Sequence, residues 1–335
     1  NLNAGYLNTP ADLDTINPLT LGTLTLTDVA RMNKRDNRLF VIDFAIPNGN
    51  ISYSGLHSSI DKDVNTYANV YPLQTPDGQR LFDTGELLNN IKVTTETWKY
   101  EQNLTPDLRL ELFNSFSRST NGDTNKVFNF KESGAYTESV SNKSVDNIQN
   151  FTINDTNTTW FERYDYNEYK TEETERAYGG DIEFDLKISN QISGKVKFGF
   201  KNRNKSREHD RDYEYGAFTY VAHGNKRDTT YQMFEFLNSI PEGTIYAPYY
   251  PFMDDGYNDE GFLDGKYTLG PFADIDKMNQ LFYYFRANWN WDPYHENIMH
   301  HFHKTQSLIY DYSGTESYKA RYVMSDMNIG TKVNL

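Results

Sequence analysis

Residues Gly180–Arg207 read GDIEFDLKISNQISGKVKFGFKNRNKSR. Ile182, Phe184, Leu186 and Ile188 alternate with Glu183, Asp185 and Lys187. After Ser189-Asn190-Gln191 the alternation resumes, with Val196, Phe198 and Phe200 on one side and Lys195, Lys197, Gly199 and Lys201 on the other. A period of two puts each set on its own face of a strand. Two such strands joined by a short polar turn form a β-hairpin. One face is apolar and the other charged. In a sandwich the apolar face packs on a second sheet. In an outer-membrane barrel it meets lipid and the charged face lines a wet lumen. The hairpin alone leaves both open.

The rest of the chain narrows the choice. Short turn signals stand at Pro47-Asn48-Gly49, Thr105-Pro106-Asp107 and Ser189–Gln191, with a fourth near Gly330. Each sits between alternating segments: Phe40, Ile42, Phe44 and Ile46 before the first, Leu108, Leu110 and Leu112 after the second, and Tyr318, Ala320, Tyr322 and Met324 before the last. Between the hairpins lie long polar stretches, read as loops at about 61–88, 119–172 and 208–304, and residues 1–36 also read as loop-like. Short turns on one rim and long loops on the other are the pattern of an outer-membrane barrel. Within the longest loop, Asp228 and Asp274 are placed to cap short helices. Ile275, Met278, Leu281, Phe282 and Phe285 fall at helical spacing.

Composition sets limits. Net charge is −14, which disfavours nucleic acid as a partner. Cysteine is absent, removing thiol catalysis and disulfide frameworks. Aromatic residues make up 15% of the chain while all hydrophobics reach 37%, and mean hydropathy is −0.78. Much of the apolar surface is therefore Tyr and Phe, which suit strands and interfacial belts. No apolar run is long enough for a transmembrane helix. The chain begins with Asn1 and no basic n-region precedes an apolar run, so a processed or truncated product is expected.

The run Ile192–Gly199 followed by Lys201, Arg203, Lys205 and Arg207 resembles the mid-barrel hairpin of TonB-dependent outer-membrane receptors of the Bacteroidetes type. Tyr312–Glu316 with Tyr318, Ala320, Tyr322, Met324 and Gly330 resembles a later strand of that family, and Ile46-Pro47-Asn48-Gly49 one of its turns. Phe200 stands where that group often has glycine. The resemblance implies a barrel of roughly 22 strands, closed by an N-terminal plug and energised by the periplasmic protein TonB acting on the N-terminal region. This chain would be a partial barrel domain over 1–335, without plug or C-terminal strands. The expected fold is thus all-β: an antiparallel transmembrane β-barrel, partial, with about seven or eight strands and long extracellular loops containing short helices.

The expected function is import of a scarce nutrient (siderophore, glycan or peptide) across the bacterial outer membrane, with lipid around the barrel, no enzyme activity and no cofactor. The alternatives are a soluble or surface-anchored all-β glycan-binding or glycan-processing protein, and a passive porin-like barrel. Candidate ligand contacts are Trp160, Tyr164, Tyr166, Tyr213, Tyr215, Trp289 and Trp291, with Tyr249 and Tyr250 nearby in sequence, because such rings stack on sugars or flat ligands; belt and loop packing would use the same residues. His295, His300, His301 and His303 are weak candidates for a metal, against the blander reading of a solvated loop with incidental histidines. Asp254, Asp255, Asp259, Glu260 and Asp264 lack the spacing of a Ca²⁺ loop. The basic run Lys201–Arg211 could meet lipopolysaccharide phosphates or an acidic ligand; the blander reading is a strand extension neutralised by Glu208, Asp210 and Asp212. Asn-X-Ser/Thr triplets, as at Asn103, Asn142, Asn150, Asn154 and Asn157, follow from composition. No phosphate loop, nucleophile elbow or H-E-x-x-H motif occurs.

Overall fold

A computed structural model describes residues 2–8, 22–73, 78–153, 155–189, 191–217, 233–241, 244, 247–258, 261–288, 300–330 and 333–334. They form one antiparallel sheet. Its strands are β1 (Leu2–Asn8), β2 (Thr23–Ile46), β3 (Gly49–Pro72), β4 (Arg80–Thr105), β5 (Leu108–Glu132), β6 (Thr159–Lys187), β7 (Ile192–Gly216), β8 (His301–Phe302), β9 (Tyr312–Ile329) and β10 (Val333–Asn334). Each strand pairs with the next, except that β7 pairs with both β8 and β9. The sheet is open, with β1 and β10 at its two ends.

The short turns lie where the sequence places them. Pro47-Asn48 joins β2 to β3, Pro106-Asp107 joins β4 to β5, and Ile188–Gln191 joins β6 to β7. Asn48 takes φ 58°, a value asparagine tolerates better than most residues. Gly49 must be glycine for a different reason: a Cβ there would lie 2.4 Å from the Glu101 carbonyl oxygen.

The strands are far longer than the alternation indicates. β2 to β7 run 24–29 residues, about 80–95 Å at ~3.3 Å per residue. The loop expectations are corrected accordingly. Of the described residues in 61–88, only Leu73, Gly78 and Gln79 are not strand. Of 119–172, the described residues between Glu132 and Thr159 are not strand. Strand β7 takes the first part of 208–304, to Gly216, and β2 starts at Thr23 inside the stretch read as loop-like. The reason is physical. Between the apolar band and the capped strand ends neither face is apolar, so no hydrophobic period marks the middle of these segments. Cross-strand polar pairs hold them instead, such as Thr95 Oγ1 to Ser117 Oγ at 3.1 Å and Arg118 to Glu172 at 2.8 Å.

Register assigns every side chain to a face. The pairs Phe44↔Ile51, Ile51↔Tyr100, Tyr100↔Leu112, Leu112↔Gly180 and Gly180↔Phe200 place one row of apolar residues across six strands. The row beyond it holds Ile42, Tyr53, Trp98 and Tyr178, and Phe40 and Phe116 stand one row further. The Tyr53 and Trp98 rings are 4.7 Å apart. On β6 the band runs from Tyr178 to Leu186. Past it the same face turns polar, with Arg38, His57, Thr94, Arg118 and Thr174 in one row. The opposite face is ion-paired at the height of the band: Lys99 with Glu101 (2.5 Å) and Glu111 (3.1 Å), Lys195 with Glu183 (3.0 Å), and Lys197 with Asp181 (3.0 Å). The β2–β3 hairpin departs from this division, since Leu39, Val41 and Leu56 put apolar groups on the ion-paired face. In β9 the set Tyr318, Ala320, Tyr322 and Met324 also lies on that face: Met324 pairs with Lys197, and the Tyr322 hydroxyl donates to Asp181 at 2.5 Å.

The hydrophobic core sits at the far end from the turns, on the same face as the apolar band. Residues of the 233–288 segment cap the strand ends there. Leu24, Tyr71, Phe82, Phe128, Phe130 and Tyr164 of the sheet meet Leu237, Tyr249, Phe252, Phe272, Met278 and Phe282 of the cap. The helix Ile275–Asn288 buries Met278, Leu281, Phe282 and Phe285, the stripe expected from their spacing. Asp274 caps it as expected, its carboxylate accepting from the N–H groups of Asp276 (2.9 Å) and Lys277 (3.1 Å). Met233 to Pro241 contributes a 3₁₀ turn at Glu235–Ser239. Asp228 lies outside the described residues. No helix among the described residues is long and apolar enough to cross a membrane.

Candidate functional site: an aromatic and amide platform

Beyond the height of the band, the polar face of β4 to β7 changes character. Asn89, Asp123, Tyr169 and Arg211 stand in one cross-strand row. Asn121, Thr171, His209 and Tyr312 form the row nearer the turns, and Asn125, Asn167 and Tyr213 the row nearer the cap. Because the period is two, these side chains share a face and their intervening neighbours do not.

Arg211 is the centre of the platform. Its guanidinium carbon lies 4.3 Å from the Tyr310 ring centroid and 5.4 Å from those of Tyr169 and Tyr213. Its Nε and Nη2 donate to Asn167 Oδ1 at 3.1 and 2.5 Å. Asp311 accepts the Arg211 backbone N–H at 2.9 Å, fixing the edge of β7 against the start of β9. On one side His209 stacks with Tyr169 and Tyr312, with centroids 6.1 and 5.2 Å apart, and its Nδ1 is 2.7 Å from Thr171 Oγ1. On the other side Tyr213 stacks with Tyr215 at 5.9 Å and donates its hydroxyl to Asp165 at 2.5 Å. The result is a half-exposed ladder of rings with a guanidinium among them. Asn89 Oδ1 and Asp123 Oδ1 are enclosed beside it without a hydrogen-bond partner. Flat π faces next to amide and carboxylate groups suit a ligand with apolar faces and several hydrogen-bonding edges.

The sequence candidates divide between the faces. Tyr213 and Tyr215 belong to the platform. Trp160 is on the same face near the rim, donating Nε1–H to Glu162 at 3.2 Å. Tyr164 and Tyr166 are 1% and 4% exposed. They pack on Phe282 at 5.3 and 5.0 Å and serve the cap's core. Tyr249 is buried there too, while Tyr250 donates to the Ser239 carbonyl at 2.9 Å. Trp289, Trp291 and His295 lie outside the described residues. His301 and His303 flank Tyr215, with centroids 4.9 and 6.0 Å away. Among the described residues no group of three or more His, Cys, Asp or Glu side chains is placed to hold a metal. Tyr169, His209 and Tyr312 were missed as ligand contacts by sequence reasoning, and Arg211 figured only as the end of a basic run. The signal was present: Asp165, Asn167, Tyr169 and Thr171 alternate, as do His209, Arg211, Tyr213 and Tyr215. It went unread because the charges from Lys201 to Asp212 read as a mutually neutralised run.

His300 joins the cap to the sheet. Its Nδ1 is 2.7 Å from the Tyr164 hydroxyl, and its Nε2 is 3.5 Å from Glu214 Oε2. Arg286 of the cap helix also pairs with Glu214, at 2.8 Å. Burial, helped by the charge of Arg286, lowers the His300 pKa to about 4 from an ordinary 6.5. A proton is therefore taken up more readily by the unfolded chain. The neutral ring's contribution is complete above pH 6.5 and is lost as the pH falls toward 4. Lowering the pH from 7 to 5 is expected to destabilise the cap by about 1–2 kcal/mol. His300→Gln should flatten that dependence in hydrogen exchange of the Ile275–Asn288 amides. An equally steep pH dependence in the variant would remove His300 from the account.

Comparison with protein-family models, with curated proteins and with solved structures found no match.

Proposed function

We propose that the chain is part of an outer-membrane receptor barrel that binds a scarce nutrient at its outer end and imports it with energy from TonB. The observation that carries this reading is the apolar band. It is about nine residues tall on β6, close to what a tilted strand needs to span a bilayer. A row of Tyr, Trp and Phe rings edges it on the side away from the turns, as an interfacial girdle does. The reverse face is charged and internally paired at the same height, as suits a wet lumen.

The arrangement gives each region a task. The turn-end band sits in lipid, and the long polar strand ends stand outside the membrane. The platform around Arg211 lies on the lumen side of those ends, in the path of a solute entering from outside. No bond-making step is involved; the work is binding and passage.

Partition tests the membrane reading. The purified chain should require detergent or lipid to remain monodisperse, and it should protect the β6–β7 hairpin from protease when reconstituted. A chain that stays soluble and monomeric without detergent and melts cooperatively belongs to the soluble all-β class instead. The platform has its own test. Ferric siderophores, oligosaccharides and short peptides are screened by thermal shift. Arg211→Ala or Tyr213→Ala should then weaken the compound that binds roughly tenfold, the scale of a lost cation–π or stacking contact. Unchanged affinity in both variants would move the binding site elsewhere.

A further inference from the structure

A recess of about 1060 Å³ opens on the apolar face of β5, β6, β7 and β9. Its floor is Leu110, Leu112, Ile182, Phe198, Phe200 and Val323. Gly180 gives it depth, since a Cβ there would lie 2.5 Å from Leu112 Cδ2. Its rim is different. Lys319 and Arg321 line it with Asn202. Arg176 stands outside the lining, on the same face of β6 one row past Tyr178, paired with Asn204. Among the described residues no carboxylate is paired with Arg176, Lys319 or Arg321. Arg176 instead lies over the Phe116 ring at 5.6 Å.

The placement is what makes these cations informative. Arg321 is in the row of Leu112 and Phe200, and Lys319 in the row of Trp98 and Tyr178. Both therefore fall within the band that the other strands fill with apolar and aromatic groups. A cation at that height, unpaired and facing lipid, is costly unless it reaches the interface and meets an anion. An apolar floor with a cationic, amide-bearing rim is complementary to an amphipathic anion.

We propose that this groove holds a phosphorylated, acylated lipid of the surrounding bilayer. An acyl chain lies on the Leu112–Ile182–Phe198 floor, and the phosphate sits against Arg176, Lys319 and Arg321. The inference rests on the membrane reading above.

The test places the chain in phosphatidylcholine nanodiscs doped with spin-labelled phosphatidylglycerol or spin-labelled phosphatidylcholine. The fraction of immobilised label is read for each. The parent should hold phosphatidylglycerol at least about tenfold over phosphatidylcholine, each cation near an anionic headgroup contributing about fivefold. The variant R176Q/K319Q/R321Q should lose the preference, and R176K/R321K should keep most of it. Gly180→Leu should reduce immobilisation of both lipids by filling the recess. Lys201→Gln, on the opposite face, should change nothing. Equal retention of the two lipids by the parent, or an undiminished preference in the triple variant, overturns the proposal. Short-chain phosphatidylglycerol, titrated below its micelle concentration, separates the groove from the membrane reading. If the chain refuses nanodiscs but prefers this lipid over its choline analogue, the groove stands and the barrel falls. If it shows no preference in either setting, the groove falls.

Discussion

Arg80→Met is expected to lose about 3–5 kcal/mol of stability, the cost of leaving one member of a buried ion pair alone. Arg80 and Glu132 are 2% and 0% exposed, with Arg80 Nη2 2.5 Å from Glu132 Oε2. The pair is also a junction. Arg80 Nε donates to the same carboxylate at 2.9 Å, and Nη2 donates to the Ile153 carbonyl at 2.8 Å. Glu132 Oε1 accepts the Asp155 N–H at 2.8 Å, and the guanidinium lies over the Phe82 ring at 4.5 Å. One pair therefore ties the start of β4, the end of β5 and the segment between β5 and β6. Denaturant titration followed by tryptophan fluorescence should show the loss. Combining Arg80→Met with Glu132→Leu should recover most of it, because no buried charge is then left unpaired. A single variant costing under about 1 kcal/mol would mean that water reaches the pair.

Phe198→Arg is expected to cost about 2–4 kcal/mol in a bilayer if the site is near the midplane. Phe198 is 47% exposed on the apolar face and meets Phe184 edge-on at 6.4 Å. Its neighbour Lys197 points the other way, pairing with Asp181 at 3.0 Å in a partly exposed ion pair. Lys197→Gln should cost no more than about 1 kcal/mol. The comparison needs refolding equilibria in lipid vesicles, where the apolar face is covered. The reverse ranking would assign the charged face to lipid.

How much of this was legible depended on whether a segment's two faces differ. Ile182 to Leu186 and Val196 to Phe200 announce their faces, and their pairing follows the reading residue by residue. Thr120 to Asn125 carries polar groups on both faces, so it looked like loop although it is paired throughout. The turns were legible because Pro47-Asn48 and Pro106-Asp107 have local conformational requirements. The cap helix was legible in its Ile275–Phe285 stripe, but nothing local says which face of the sheet that stripe covers. The platform was half legible. Tyr213 and Tyr215 stood out as aromatic, while Arg211 and His209 looked like members of a charge run until the register set them among rings. Tyr164 and Tyr166 show the converse: their rings suggested ligand contact, and long-range packing on Phe282 took them into the core.

The cap covers the same face as the apolar band, and its position along the strands has a mechanical consequence. It is fixed to the sheet by Arg286 pairing with Glu214, by Lys126 donating to Asn279 and by a layer of buried rings. The cap meets β6 at Tyr164 and Tyr166, and the band's edge lies at Tyr178, so about 40 Å of strand, at ~3.3 Å per residue, separates them, with Glu168, Lys170, Glu172, Thr174 and Arg176 on the same face. The turns at the other end are tipped with Asn48, Asp107 and Ser189. If the band sits in a bilayer, as proposed, the cap stands clear of it, and the paired strands hold the platform at a fixed height between the two.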